Sequence, residues 1–279
     1  MQGSTVPADS KVVIHWHPKF AHPNCAGVAY VCLGRSEELK DIYIKGKLDK
    51  EGIHASTEAL EETNRLQTIF DQNVERLKEK TENFWQISYL NVRNLNWNEE
   101  YVRKDNFLLA ADIFALGETW LKPGEERQFE GSSGFFANHG GGKGVSVFSR
   151  IDGNVLTSIT SDKYSCIHLR TCKFDAIFVY LSSGCDKDEV SQLLETWIDQ
   201  DVPTTIMGDF NIDFSKDDKL VKSLEHIGFE QLINESTIDT GNLIDHIYVN
   251  VGLKSLNIST QRDSAFYSDH DVITLHIPK

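Results

Sequence analysis

The chain has 279 residues, with 40% hydrophobic and 25% charged side chains, enough for one large domain or a medium domain with an appendage. Net charge is −14, and residues 85–279 hold 17 Lys and Arg against 29 Asp and Glu, which counts against a passive nucleic-acid binder that relies on basic residues replacing phosphate counterions. No apolar run approaches the roughly 18 residues of a membrane span.

The first residues, Met1 to Ser10, lack the basic-then-apolar order of a secretory signal, so an intracellular protein is expected. The cysteines, Cys25, Cys32, Cys166, Cys172 and Cys185, are odd in number and contain no CxxC pair, so reduced thiols are expected. A short β-like stretch at Asp41-Ile42-Tyr43-Ile44 precedes a helix that starts near Ser56. Its apolar positions Leu60, Leu66, Ile69, Phe70, Val74 and Leu77 recur at steps of three and four. After Thr81-Glu82-Asn83 the pattern becomes short apolar runs mixed with helical stretches. Strands are predicted at Gln86–Leu90, Ile113–Gly117, Val145–Ser149, Cys166–Thr171, Ala176–Leu181, Thr204–Met207, His246–Asn250 and Val272–Ile277. Helices are predicted at Glu99–Ala111, Asp188–Gln200 and Lys216–His226. Without regular βαβ alternation, this favours an α/β sandwich of two sheets with outer helices over a Rossmann-type sheet.

Polar residues stand at the ends of these apolar runs, where loops can bring them together. They are Asn91 after Ile87-Ser88-Tyr89-Leu90, Glu118 after Phe114-Ala115-Leu116-Gly117, and Tyr180 within Phe178-Val179-Tyr180-Leu181. Asp209 and Asn211 follow in Gly208-Asp209-Phe210-Asn211, then Asp245 in Leu243-Ile244-Asp245-His246, and Ser268-Asp269-His270 before the last strand. Taken singly, an Asp or Asn after a strand is a turn former and Tyr180 a core aromatic with its hydroxyl at the rim.

In chain order the set reads N, E, Y, GDFN, D, SDH, and over residues 85–279 it resembles the endonuclease/exonuclease/phosphatase superfamily. The resemblance implies a two-sheet α/β fold and hydrolysis of a phosphodiester in DNA. It implies magnesium or manganese held by Glu118, Asn91 and Asp269, since hard cations take oxygen ligands. It further implies an Asp245–His270 pair that holds the phosphate or helps activate water. Asp209 would act on the attacking water or the leaving group, Asn211 would orient water or phosphate, and Tyr180 would donate to a phosphate oxygen or tune Asp209. Apurinic endonucleases carry an Asp two residues after the first Asn, whereas this chain has Arg93. The form Asn91-Val92-Arg93-Asn94-Leu95 is similar to retroelement-type endonucleases instead.

Gly140-Gly141-Gly142-Lys143-Gly144 lacks the phosphate-loop spacing and leads into a strand-like run, so it is read as a hairpin turn with His139 exposed beside it. Towards the amino terminus, Ala29-Tyr30-Val31-Cys32-Leu33-Gly34-Arg35, Leu39 to Ile44 and Gly52 to Glu62 resemble the last stretch of a PIF-family DNA helicase, with Gly34 where that family has serine. No Walker loop accompanies it, so no helicase activity is expected. A helicase end joined to such an endonuclease resembles Helentron-type Helitron transposons. The expected organisation is a helicase remnant with a connecting helix over residues 1–80 and the phosphodiesterase domain over 85–279. A monomer acting on DNA is expected, in the nucleus because of that substrate. Two other readings compete with it: a silent transposon remnant, and a phosphoesterase acting on lipids or small phosphate esters.

Overall fold

A computed structural model describes residues 12–15, 42–45, 64–65, 82–216 and 218–279. The chain divides into two units, 1–75 and 76–279. In the first, β1 (Val12–His15) and β2 (Ile42–Lys45) pair in parallel with Val12 opposite Ile42, and β2 coincides with the β-like stretch expected there. The helicase-like residues 29–35 and 52–62, and the helix expected from Ser56, lie outside the described residues apart from the helical pair Asn64 and Arg65.

The second unit is an α/β sandwich of two six-stranded mixed sheets. One contains β3 (Phe84–Asn91), β4 (Ile113–Gly117), β5 (Ser133–Gly140), β6 (Lys143–Ser149), β13 (Ser259–Ser264) and β14 (Asp271–Pro278), in the order β13-β14-β3-β4-β6-β5. The other contains β7 (Gly153–Thr160), β8 (Tyr164–Thr171), β9 (Asp175–Leu181), β10 (Thr204–Asp209), β11 (Glu230–Gln231) and β12 (Asp245–Val249), in the order β11-β12-β10-β9-β8-β7.

Because strand side chains alternate with a period of two, each central strand divides its apolar residues between two cores. In β9, Ala176, Phe178 and Tyr180 point between the sheets, where they join Ile87, Tyr89, Ala115, Val147 and Ile273. Ile177, Val179 and Leu181 point outward to Val190 and Leu194 of α3 (Lys187–Trp197) and Leu220 and Leu224 of α4 (Lys219–His226). The other outer face, with Leu90, Phe114 and Phe148, is covered by α1 (Leu95–Val102) and α2 (Asn106–Ala110). A short α5 (Val251–Lys254) follows β12.

The single helix expected over Glu99–Ala111 is two. Asn94 caps α1 by accepting from Asn96 N, so helix starts earlier than the apolar pattern suggests. Asp105 then restarts it as α2 by accepting from Phe107 N and Leu108 N. The strands β5, β7, β11 and β13 were not predicted, and they are the four sheet edges. The Gly-rich turn is a hairpin, with Gly140 opposite Lys143. Gly141 and Gly142 at its tip take φ of 58° and 83°, the doubly left-handed turn that glycine favours, and His139 beside them is exposed.

Candidate active site

Register brings the predicted site residues to one end of both sheets. Asn91 ends β3 opposite Gly117 of the parallel β4, placing Glu118 immediately beyond. Asp209 ends β10 opposite Tyr180 of β9 on one side and Asp245, the first residue of β12, on the other. Asn91 shares strand parity with Ile87 and Tyr89, Asp209 with Met207, and Asp245 with Ile247, so all three carry side chains into the cleft between the sheets. His270 lies just before β14, which runs beside β3.

The side chains form two adjacent hydrogen-bonded groups, Asn91 with Glu118, Asp209 and Asn211, and Asp245 with His270. Asn91 Nδ2 donates to Asp209 Oδ2 at 2.8 Å and to Glu118 Oε1 at 3.1 Å, while its Oδ1 accepts from Arg93 N at 2.9 Å. Asn211 N donates to Asp209 Oδ1 at 2.8 Å, and its side-chain amide donates to Leu181 O at 2.7 Å. Tyr180 lies near enough to Glu118 and Asp209 to feel both charges. His270 Nδ1 meets Asp245 Oδ2 at 2.8 Å with both groups buried. Asp269 stays exposed and pairs with Arg93 Nη1 at 3.3 Å. Ser268 Oγ ties this loop to β3 by donating to Asn91 O at 2.7 Å.

Burying several carboxylates together has electrostatic consequences. Burial first, and the Asp245 charge second, push the Asp209 pKa up to about 8 against the opposing pull of His270. Burial favours neutral His270, yet Asp245, Asp209 and Asp269 overcome it and raise its pKa to about 9, so the ring is a cation at neutral pH. Burial and the charges of Glu118 and Asp209 also hold the Tyr180 hydroxyl protonated. Ligand atoms of Asp209, Asp245 and His270 lie within 4.8 Å of one another, a grouping able to hold a metal ion.

The backbone is strained around this cluster. Among the described residues the non-glycine positions with positive φ are Arg93 (62°), Glu118 (47°), Trp120 (58°) and Asn211 (50°), all in loops at this end of the sheets. Such conformations cost of order 1 kcal/mol each and persist where surrounding contacts fix them. Two glycines make room for the site. A Cβ on Gly117 would lie 1.9 Å from Tyr89 Oη, and one on Gly208 would lie 1.9 Å from Val179 O.

Two contributors were missed in the sequence reading. Tyr89 lies beneath the carboxylates, its Oη buried and without a hydrogen-bond partner, and burial followed by the Asp209 and Asp245 charges raises its pKa. Its position two residues before Asn91, hence on the same strand face, was the available signal. Thr237 Oγ1 accepts from Asp245 N at 3.0 Å and Ile244 N at 3.2 Å, and nothing in the local sequence marks it.

The model of the endonuclease/exonuclease/phosphatase family matches residues 90–270, which span this whole cluster. The chain belongs to the endonuclease/exonuclease/phosphatase family. No curated protein sequence matches it significantly. Among solved structures, it is similar to the endonuclease domain of TRAS1, a telomere-specific non-LTR retrotransposon, at 17% identity and TM-score 0.54, covering 70% of this chain and 98% of that one. It is also similar to the 3'-5' exonuclease NExo from Neisseria meningitidis, at 18% identity and TM-score 0.58, covering 70% and 100%. An AP endonuclease from Archaeoglobus fulgidus matches at 16% identity and TM-score 0.55, covering 69% and 98%. These likenesses show a shared fold with other members of the family.

Proposed function

We propose that this family member is a divalent-metal-dependent phosphodiesterase that nicks the DNA backbone. The observation that carries this reading is the convergence of Asn91, Glu118, Asp209, Asp245 and His270 at one strand-end cleft, with a charged Asp–His pair beside an acid of pKa about 8. A phosphodiester resists hydrolysis because its charge repels the nucleophile and its alkoxide leaves poorly, so a cleaving site needs both positive charge and a proton donor or acceptor.

The residues present fit a hard cation. Glu118 offers a carboxylate oxygen suited to magnesium or manganese, and Asp245 Oδ1 is a buried oxygen with no hydrogen-bond partner. The other ligands the resemblance implies, Asn91 Oδ1 and Asp269, are engaged by the backbone N and the guanidinium of Arg93 and would turn from them to the ion. When bound, such an ion polarises a phosphoryl oxygen and stabilises the leaving one. The protein's own groups do the rest. Protonated His270, oriented through Nδ1 by Asp245, has its Nε2–H to offer to a phosphate oxygen. Asp209, with a pKa near neutrality, exchanges a proton with the attacking water or the leaving oxygen, and Asn91 and Asn211 fix its carboxylate. Tyr180, its hydroxyl kept protonated by burial and the nearby Glu118 and Asp209 charges, can donate to a phosphate oxygen.

The retroelement-like Asn91-Val92-Arg93-Asn94-Leu95 and the helicase-like residues 29–62 support an origin in a mobile element, and with it action in the nucleus. A net charge of −12 on residues 85–279 favours a second reading, turnover of small or lipid phosphate esters.

The full chain incubated with supercoiled plasmid decides the matter. Nicking in magnesium or manganese, none in chelator, and a rate about 100-fold lower or worse in Glu118→Ala are expected. Intact plasmid with a folded protein and either metal would contradict the proposal. Faster turnover of lipid or inositol phosphates than of plasmid would favour the second reading.

A further inference from the structure

Beside the phosphate-binding end lies a group of aromatic rings that the hydrolytic chemistry leaves unused. The loop leading to Ser268-Asp269-His270 carries Phe266 and Tyr267, whose rings meet edge to face at 5.3 Å. Tyr101 of α1 stacks on Tyr267 at 5.9 Å with planes 13° apart, and meets Phe266 edge-on at 5.4 Å. Tyr267 is anchored by its hydroxyl, which donates to Asp105 Oδ2 at 2.6 Å. Phe266 nevertheless remains 84% exposed, and Trp97, one helical turn before Tyr101 and so on the same face of α1, is 80% exposed. One exposed aromatic is ordinary; a fixed group of three with a tryptophan alongside marks a surface that meets something.

The group is coupled to the catalytic end through covalent and hydrogen-bonded links. Tyr267 is followed by Ser268, whose Oγ donates to Asn91 O at 2.7 Å and accepts from His270 N at 3.2 Å. α1 starts at Leu95, four residues after Asn91. Around α1, Arg103 and Arg127 share Glu99 at 2.7 and 2.8 Å, Lys104 pairs with Glu100 at 2.6 Å, and the Asp105 carboxylate is capped by the Tyr267 hydroxyl. An aromatic face therefore adjoins a site suited to an anion. A nucleotide has the same layout, a charged phosphate joined to a neutral base with two π faces.

Resting on the DNA reading above, we infer that Phe266, supported by Tyr101 and flanked by Trp97, is a stacking platform for an unpaired base near the scissile phosphate. In a duplex the base faces are already stacked on their neighbours, so only a single-stranded or locally unpaired substrate presents a free face. The acidic character of residues 85–279, −12 in net charge, points the same way. Backbone attraction through counterion release is weak there, whereas base stacking tolerates any sequence and adds affinity base by base.

The test uses the full chain and fluorescein-labelled 12-mer DNA of mixed sequence, single-stranded or in duplex, with binding read by anisotropy in chelator so that no strand is cut. Single strand is expected to bind at least about tenfold tighter than duplex. Phe266→Ala should weaken that binding about fivefold or more, and Phe266→Trp should retain it. Because Phe266 is exposed, both variants should keep the wild-type melting profile by circular dichroism. Equal affinity for duplex, unchanged binding by Phe266→Ala, or no binding at all would overturn the platform. Plasmid nicking in magnesium, measured on the same preparations, separates the two ideas. Nicking with binding insensitive to Phe266 removes the platform alone, while Phe266-dependent binding without nicking by wild type supports the platform and removes the nuclease reading.

Discussion

Two buried aspartate–histidine pairs belong to the same strand system, and their surroundings make them opposites. At the start of β9, Asp175 meets His168 Nε2 at 2.9 Å and is gripped by Arg170 through Nε at 2.8 Å and Nη2 at 2.7 Å, with Trp197 stacked on the imidazole. Beyond the other end of β9, Asp245 meets His270 Nδ1 at 2.8 Å, but its second neighbour is Asp209, another carboxylate, and its Oδ1 has no partner. Burial raises the Asp175 pKa, yet the hydrogen bonds from Arg170 and His168 outweigh it and leave the value lowered, so that cluster is electrostatically satisfied. At the Asp245 end like charges are stacked together and Asp209 is pushed up to about 8. The first arrangement serves stability. On the proposed function, the second leaves Asp245 Oδ1 open to a substrate or ion.

The largest effect expected from breaking this contrast is on activity. His270→Ala or Asp209→Asn should lower kcat/KM for plasmid nicking by about 1,000-fold or more, the scale of losing a positioned acid or base, with cooperative unfolding retained. Next in size is a stability effect at the other pair. Asp175→Ala leaves His168 and Arg170 without their carboxylate, and should cost about 3 kcal/mol in denaturant unfolding while the folded fraction nicks at the wild-type rate. The wild-type contribution of Asp175, a carboxylate of lowered pKa, is present above about pH 4 and lost as pH falls further.

Smaller still is the pH dependence of the active pair. His270 has a pKa raised to about 9 from the usual 6.5, so its pairing energy is fully present below about pH 6.5 and lost as pH rises through about 9. Nicking should decline across that upper limb, measured as kcat/KM against pH, and a rate still rising beyond pH 10 would count against a cationic His270. The smallest effect has the opposite sign. Asp209, a carboxylate of raised pKa, weakens the fold progressively as pH climbs from about 4 through about 8. Asp209→Asn removes that penalty, so melting temperature at pH 8 should rise by about 4 °C, with the gain vanishing near pH 4.

The sequence disclosed the middle of each sheet and concealed its margins. Runs such as Ile113–Gly117 and Ala176–Leu181 are buried on both faces and read as unbroken apolar segments. Edge strands lack that signature: Gly153–Thr160 alternates half-buried with exposed residues, and Ser259–Ser264 is polar throughout. The site was visible as polar residues ending the central runs, because register then carries Asn91, Asp209 and Asp245 to one cleft. Its support was not. Ser268 reaches Asn91 across 177 positions, and Thr237 steadies Asp245 from a loop with no pattern of its own. Arg93 stood out only as a departure from related motifs, whereas its pairing with Asp269 is a fact of the folded chain.

The most direct test of the contrast is one matched pair of substitutions, Asp245→Asn and Asp175→Asn, in the full chain. Plasmid nicking per folded molecule in magnesium and the melting temperature would be measured together. The account predicts that Asp245→Asn loses at least about 100-fold in rate per folded molecule, whereas Asp175→Asn melts lower yet nicks at the wild-type rate. Equal loss of rate in both variants, or wild-type nicking by Asp245→Asn, would contradict it.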